Sequence, residues 1–184
     1  MKVILSGYQD SKQILAASSY LIKKYLKGFD VYFLNYGKYD GKLYTGTYVS
    51  LMDEQERIGH WTRDKRDYLE TLDDKYIIFG LDDYLLSKPI DKKLYNSIDL
   101  TLVDCVKLCS EANLSKTYSC TTQYTIWRRS LLLEIMEKVA TPWQFEDYGS
   151  QILNGMFKTI ILVPCIAYPS SSCLSSKWEG VKRI

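Results

Sequence analysis

Hydrophobic positions along this chain fall into short dense bursts, separated by stretches in which they recur every three or four residues. The bursts at 2–6, 29–34 and 76–80 are nearly continuous and of strand length. Such runs predict strands covered on both faces, as in a sheet packed between helices. Between the first two, Ile14, Leu15, Ser18, Leu21, Ile22 and Tyr25 repeat at helical spacing, with Asp10 or Ser11 as N-cap and Gly28 as the stop. Strand, helix, strand in that order opens a parallel sheet, since parallel neighbours need a crossover.

Residues 38–59 are polar and irregular, with one short strand expected at 47–50. Residues 58–72 predict a helix carrying Trp61, Tyr68, Leu69 and Leu72 on one side and Arg63 and Arg66 on another. A short helix is expected from Pro89 to about Ser97, a strand over 98–108 with Asp104 and Cys105, and a polar loop over 109–117. Alternation over 119–128 predicts a further strand, and the apolar stretch 130–139 a helix. Thr141-Pro142-Trp143 reads as a break, with another helix from Phe145 to about Gly155 and a last strand at 158–163. From Pro169 the chain is serine-rich and expected to be partly mobile. There is no internal repeat and no linker, so residues 1–184 read as one α/β domain.

The run at 76–81 leads straight into Asp82 and Asp83. Open α/β sheets place ligands at the carboxyl ends of their strands. Two adjacent acids there repel one another unless a cation, most simply a divalent metal, lies between them. A solvated Asp-Asp turn is the plain alternative.

Composition narrows the classes. Hydrophobic residues make up 46% and charged residues 25%, an ordinary globular balance, and the net charge of +2 comes from interleaved acids and bases. No polyanion-binding surface is announced, so nucleic acid is not an expected partner. The 16 tyrosines suit sugar or base stacking as well as cores. Cys105, Cys109, Cys120, Cys165 and Cys173 form no CxxC pair and lie mostly in apolar runs, which points to reduced, buried thiols and a cytoplasmic protein. The single histidine, His60, leaves zinc without a ligand set and reads as structural. The N-terminal apolar run is too short for a signal peptide, and nothing approaches the roughly 20 apolar residues of a membrane span. GxGxxG and GxxxxGK[ST] are both absent, so neither a dinucleotide site nor a P-loop is supported.

Three features in order, Asp82-Asp83, Gln123-Tyr124-Thr125-Ile126-Trp127 ahead of a helix, and Pro142-Trp143-Gln144-Phe145-Glu146, resemble GT-A-type glycosyltransferases of bacteria and viruses. The similarity spans roughly residues 1 to 165. It implies a Rossmann-like, mixed but mainly parallel sheet flanked by helices, with a nucleotide-sugar half at 1–105 and an acceptor-side half at 106–168. It also implies Mn²⁺ or Mg²⁺ and a UDP- or GDP-sugar donor, in a hexosyl- or deoxyhexosyltransferase of glycan biosynthesis. The family's DxD is written here Leu81-Asp82-Asp83, so its first acid is missing. By the resemblance Asp83 is the metal ligand and Asp82 its companion. Ser6, Gly7, Tyr8 and Asn35 meet the nucleotide, and Tyr36 closes the second strand. Arg63 or Arg66 adds a cation near the diphosphate, or simply faces solvent.

Glu146 resembles the acceptor-side acid, with Asp147 as the fallback. A base there implies direct displacement and inversion at the anomeric carbon. The alternative is a carboxylate that only favours a helix N-terminus. Gln123 and Trp143 are candidate acceptor contacts, Trp143 being equally readable as a core plug, and Trp127 reads as core. Two other functions stay open: a sugar-phosphate nucleotidyltransferase, and a sugar- or nucleotide-binding module without turnover. The nucleotidyltransferase is expected to carry a glycine- and base-rich loop after the first strand, which Ser6-Gly7-Tyr8-Gln9-Asp10 lacks. The chain is short for this fold, so it is expected either to be one domain of a larger protein or to need a partner at its acceptor site.

Overall fold

The computed structural model describes residues 1–7, 12–36, 46–51, 60–82, 84–90, 96, 98–108, 119–155, 160–162 and 166–167. Strand β1 (Lys2–Ser6) leads to helix α1 (Lys12–Tyr25), which is closed by a turn with Gly28 at φ 80°. That left-handed conformation favours glycine because it has no Cβ to clash. Then follow β2 (Asp30–Tyr36), β3 (Thr47–Leu51), α2 (Trp61–Glu70), β4 (Tyr76–Leu81) and β5 (Leu85–Leu86). The rest is β6 (Cys105–Lys107), β7 (Thr125–Arg128), α3 (Arg129–Glu137), α4 (Pro142–Gly155), β8 (Ile160–Leu162) and β9 (Ile166–Ala167).

Seven of these strands form one sheet in the order β3-β2-β1-β4-β7-β6-β8, and β5 pairs with β9 apart from it. All neighbours in the large sheet run parallel except β7, which is antiparallel to β4 and β6. This is the mixed, mainly parallel sheet that the sequence predicts. It places the carboxyl ends of β1, β2, β4 and β6 and the amino end of β7 along one edge.

Helices cover both faces, which is why the strands read as unbroken apolar runs. On one face Val3, Leu5, Phe33 and Ile78 pack with Ile22 and Leu26 at the end of α1. On the other, Ile4, Leu34, Ile77 and Phe79 meet Trp61 and Leu69 of α2, Leu132 and Ile135 of α3, and Phe145 of α4. Phe145 sits at the centre of an aromatic group, with ring centroids 6.0 Å from Trp61, 6.1 Å from Trp127 and 6.4 Å from Phe79. Their tilted and edge-on arrangement adds roughly 0.5–1.5 kcal/mol per pair to the burial itself.

Three expected elements differ. Strand 98–108 shrinks to β6, because Asp99 Oδ1 accepts from Thr101 N (2.9 Å) and Thr101 Oγ1 (2.6 Å) and caps a 3₁₀ turn over Leu100–Leu102. A short polar side chain here outcompetes the strand ladder. Strand 119–128 shrinks to β7 for the same reason: Gln123 N donates to Thr121 Oγ1 (3.2 Å) and Thr125 Oγ1 to Gln123 O (3.1 Å). Helix α4 begins at Pro142 and not at Phe145. Gln144 N donates to Thr141 Oγ1 (3.1 Å), and Gln144 Oε1 accepts from Ala140 N (2.9 Å). Thr141-Pro142-Trp143-Gln144 is thus a capping motif with proline in the first turn, and not a break. Of the short helix expected after Pro89, only Asn96 is described and helical, and most of it lies outside the described residues. Among the described residues no helix is long and apolar enough to cross a membrane.

Candidate functional site

The site is built on the edge where β1, β2 and β4 end. Asp82 follows β4 directly, and its backbone N–H donates to Ser6 O (3.0 Å) at the end of β1. Its side chain turns inward, 2% exposed, and lies over Gly7 so closely that a Cβ on Gly7 would overlap the carboxylate. A side chain at position 7 would therefore have to displace the neighbouring carboxylate. Ser6 and Asn35, at the ends of β1 and β2, are buried beside this corner. Tyr8 and Asp83 lie outside the described residues.

Glu146 arrives from α4 at the same corner. Its Oε1 accepts from Thr122 N (2.8 Å), Thr122 Oγ1 (2.6 Å) and, more weakly, Thr121 Oγ1 (3.5 Å). Thr122 O in turn accepts from Leu81 N (2.9 Å), the residue before Asp82. The 121–124 turn, with its hydroxyls and amides, thus ties the second turn of α4 to the end of β4. Ser150, one turn on, bonds to Cys120 and to Glu146 O and fixes the same helix from behind. Asp147 is exposed on the outer side of α4.

Gln123 is buried in the turn before β7, and not displayed from a strand. Trp143 is 65% exposed, which removes the core-plug reading, whereas Trp127 is fully buried as expected. Arg63 pairs with Asp64 (3.3 Å), and Arg66 with Asp67 (3.6 Å) and Glu70 (3.5 Å), all on their own helix. His60 precedes α2 in its N-cap position without a side-chain cap bond. Cys105 and Cys120 are buried, and burial pushes the thiols up, Cys105 to about 12 and Cys120 well above its ordinary range. Neither is a ready nucleophile.

Two lysines are buried among the described residues, Lys107 on β6 and Lys65 on α2, and it is Lys65, which the sequence reading passed over, that faces the end of β2. It is fully buried, and its ammonium donates to Tyr36 OH (3.2 Å), at the end of β2, while Tyr36 donates to Asp64 Oδ2 (2.9 Å). The ammonium also lies 4.4 Å from the Tyr36 ring centroid and 5.2 Å from that of Trp61. Burial lowers its pKa to about 7, with the charges of Asp64 and Asp82 opposing that shift. The signal was in the spacing: Trp61, Lys65 and Leu69 are four apart, so Lys65 falls on the apolar stripe of α2.

Among the described residues no group of three or more His, Cys, Asp or Glu side chains is placed to hold a metal. A Mg²⁺-like ion needs fewer, since it takes one or two carboxylates and fills its shell with phosphate and water oxygens. Asp82, an inward carboxylate over a glycine floor at the ligand edge of the sheet, fits an ion of that kind.

No protein-family model and no curated protein matches the sequence. Solved structures do match. Staphylococcus aureus TarS aligns with TM-score 0.61 and 16% identity over 94% of this chain and 37% of its own. A cytidylyltransferase from Leptospira borgpetersenii aligns with TM-score 0.59 and 14% identity over 89% of this chain and 75% of its own. The mannosyltransferase PcManGT from Pyrobaculum calidifontis, in complex with GDP-Man and Mn²⁺, aligns with TM-score 0.56 and 12% identity over 89% and 55%. The chain spans about a third to a half of the length of the two non-cytidylyltransferase neighbours. At these identities the likeness establishes the fold alone, a GT-A-like one, and sites decide the rest.

Proposed function

We propose that this chain is a metal-dependent glycosyltransferase that moves a hexosyl or deoxyhexosyl group from a nucleoside-diphosphate donor to a hydroxyl of a glycan or similar acceptor, with inversion. One observation carries the reading: Asp82 and Glu146 share a corner of the sheet edge through the Leu81–Thr122–Glu146 hydrogen bonds. A donor-side acid and an acceptor-side acid there match what the transfer requires. That a protein of the same fold holds GDP-Man and Mn²⁺ supports the donor class and the metal.

In this reading residues 1–105 bind the donor and 106–168 the acceptor. Ser6, Gly7, Tyr8 and Asn35 would meet the nucleoside, and Asp82 and Asp83 would hold Mn²⁺ or Mg²⁺, with Arg63 or Arg66 as a further cation. The ion, when bound, supplies Lewis-acid stabilisation of the diphosphate leaving group. Glu146 takes the proton of the acceptor hydroxyl as its oxygen bonds to the anomeric carbon and the broken C–O pair departs with the diphosphate. Asp147 is the alternative base, and Gln123 and Trp143 contact the acceptor.

A nucleotidyltransferase is the second reading, supported by the cytidylyltransferase whose fold this chain matches over three quarters of that protein's length. The two are separated by product. Incubation with nucleotide-sugars, Mn²⁺ and a panel of glycan acceptors should release a nucleoside diphosphate as the sugar passes to an acceptor hydroxyl. Release of pyrophosphate from a nucleoside triphosphate and a sugar phosphate selects the second reading instead. Melting curves with UDP, GDP, CDP or dTDP, with and without Mn²⁺, identify the base; a ligand at 100 times its Kd adds about 2.7 kcal/mol. Binding with neither product indicates a binding module, and no response to any nucleotide overturns the reading.

A further inference from the structure

Lys65 carries an inference that rests on the transfer reading and deepens it. Its ammonium is fully buried, yet among the described residues no carboxylate comes within the 4.0 Å of an ion pair. A buried charge without a contact counter-ion is costly, typically several kcal/mol. What surrounds it is the hydroxyl and ring of Tyr36 and the ring of Trp61. Aromatic faces and a hydroxyl offset part of that cost and fix where the ammonium sits. They hold the charge without cancelling it.

Tyr36 is itself tethered, donating to Asp64 Oδ2, so the hydroxyl oxygen is turned to accept from Lys65. Tyr36 ends β2 and Asp82 follows β4, two strands flanking β1 at the ligand edge of the sheet. Of the carboxylates whose charge acts on Lys65, Asp64 on its own helix is the stronger and Asp82 at the end of β4 the weaker. In a poorly polarisable interior such a field reaches farther than it does through water.

We propose that Lys65, held by Tyr36, is a resident cation of the donor site, attracting the donor's diphosphate while opposing a divalent ion at Asp82. Lys65 is a positioning residue: it acts through space on Asp82 and on the ligand, and touches no reacting atom. Part of the charge that the incomplete acid motif leaves to a metal is then built into the protein, so diphosphate binding persists when metal is removed.

The two halves of the proposal have opposite signs, which a purely structural role does not produce. Lys65→Met keeps the length and apolar stem and removes the charge. Calorimetric titrations at about pH 6, where the lysine is protonated, should show two changes relative to the wild type. The tightest-binding of UDP, GDP, CDP and dTDP, titrated with chelator present, should bind about tenfold more weakly. Mn²⁺ titrated without nucleotide should bind more tightly, by a factor of similar size. Tyr36→Phe keeps the ring and loses the hydroxyl, and should move both constants in the same opposed directions by a few fold. It carries the test alone if Lys65→Met does not fold. If both affinities fall together, or neither moves, while the wild type binds nucleotide, the proposal is overturned and the transfer reading stands. A wild type that binds no nucleoside diphosphate, with or without Mn²⁺, removes both.

Discussion

Thr122 grips Glu146 twice on one oxygen, through its backbone N–H at 2.8 Å and its hydroxyl at 2.6 Å. A carboxylate on the second turn of a helix normally swings in solvent, and this one is held. All the donors that reach it among the described residues fall on Oε1. The arrangement can aim Oε2 at an acceptor while the other oxygen anchors the side chain. Glu146→Gln preserves the anchor, since an amide oxygen accepts the same two bonds, but it removes the base. We expect turnover to fall about 10²- to 10⁴-fold with donor affinity unchanged within about twofold. Initial rates and donor titrations on the variant check this, and full turnover would remove Glu146 from the reaction.

Gly7 and Asp82 are coupled by space. Gly7→Ala places a methyl group where the Asp82 carboxylate lies, and should destabilise the protein by about 1–3 kcal/mol. It should also weaken nucleotide binding, because Asp82 has to move. Adding Asp82→Ala frees that volume, so the double variant should be less destabilised than the sum of the single ones. Urea unfolding of the three variants gives the coupling directly. Additive losses would mean that the two residues do not meet.

Lys65 gives stability a pH dependence with a defined sign. Its pKa is about 7 in the folded chain against an ordinary value of 10.5, so between those values the unfolded chain holds the extra proton. Unfolding free energy then rises with pH through that window, by up to about 1.4 kcal/mol per unit. The buried thiols of Cys105 and Cys120 and the hydroxyl of Tyr36 titrate the other way. Their folded pKa values are raised above the ordinary 9 and 10, so their contribution is lost as pH climbs past those points. The difference between wild type and Lys65→Met cancels these shared contributions. That difference should favour the variant below about pH 7 and shrink as pH rises towards 10.

How far the sequence speaks depends on which force sets each element. The central strands were readable because both faces are buried, and their runs at Val3–Leu5 and Ile77–Phe79 follow from that burial alone. The edges of β6 and β7 were not, because there Asp99, Thr121 and Glu146 bond to backbone and halt the ladder. Such competition depends on partners that the apolar pattern does not show. Lys65 was legible in principle from its place between Trp61 and Leu69. It was missed because a charged residue on an apolar stripe is usually read as solvent-facing. The grip of Thr122 on Glu146 joins positions 24 apart in sequence, and no local pattern encodes it.

Trp143 and Phe145, two residues apart on α4, should separate binding from folding. Trp143 is 65% exposed and Phe145 is fully buried among Trp61, Phe79 and Trp127. Removing Phe145 leaves a cavity in the aromatic group, so Phe145→Ala should cost about 3–5 kcal/mol in urea unfolding. Trp143→Ala removes a side chain mostly in water and should change stability by less than about 0.5 kcal/mol. If Trp143 meets the acceptor, its loss should raise the acceptor KM while donor binding stays as it was. An exposed indole with no ligand would leave that constant untouched, and Trp143 would then be removed from the acceptor contacts.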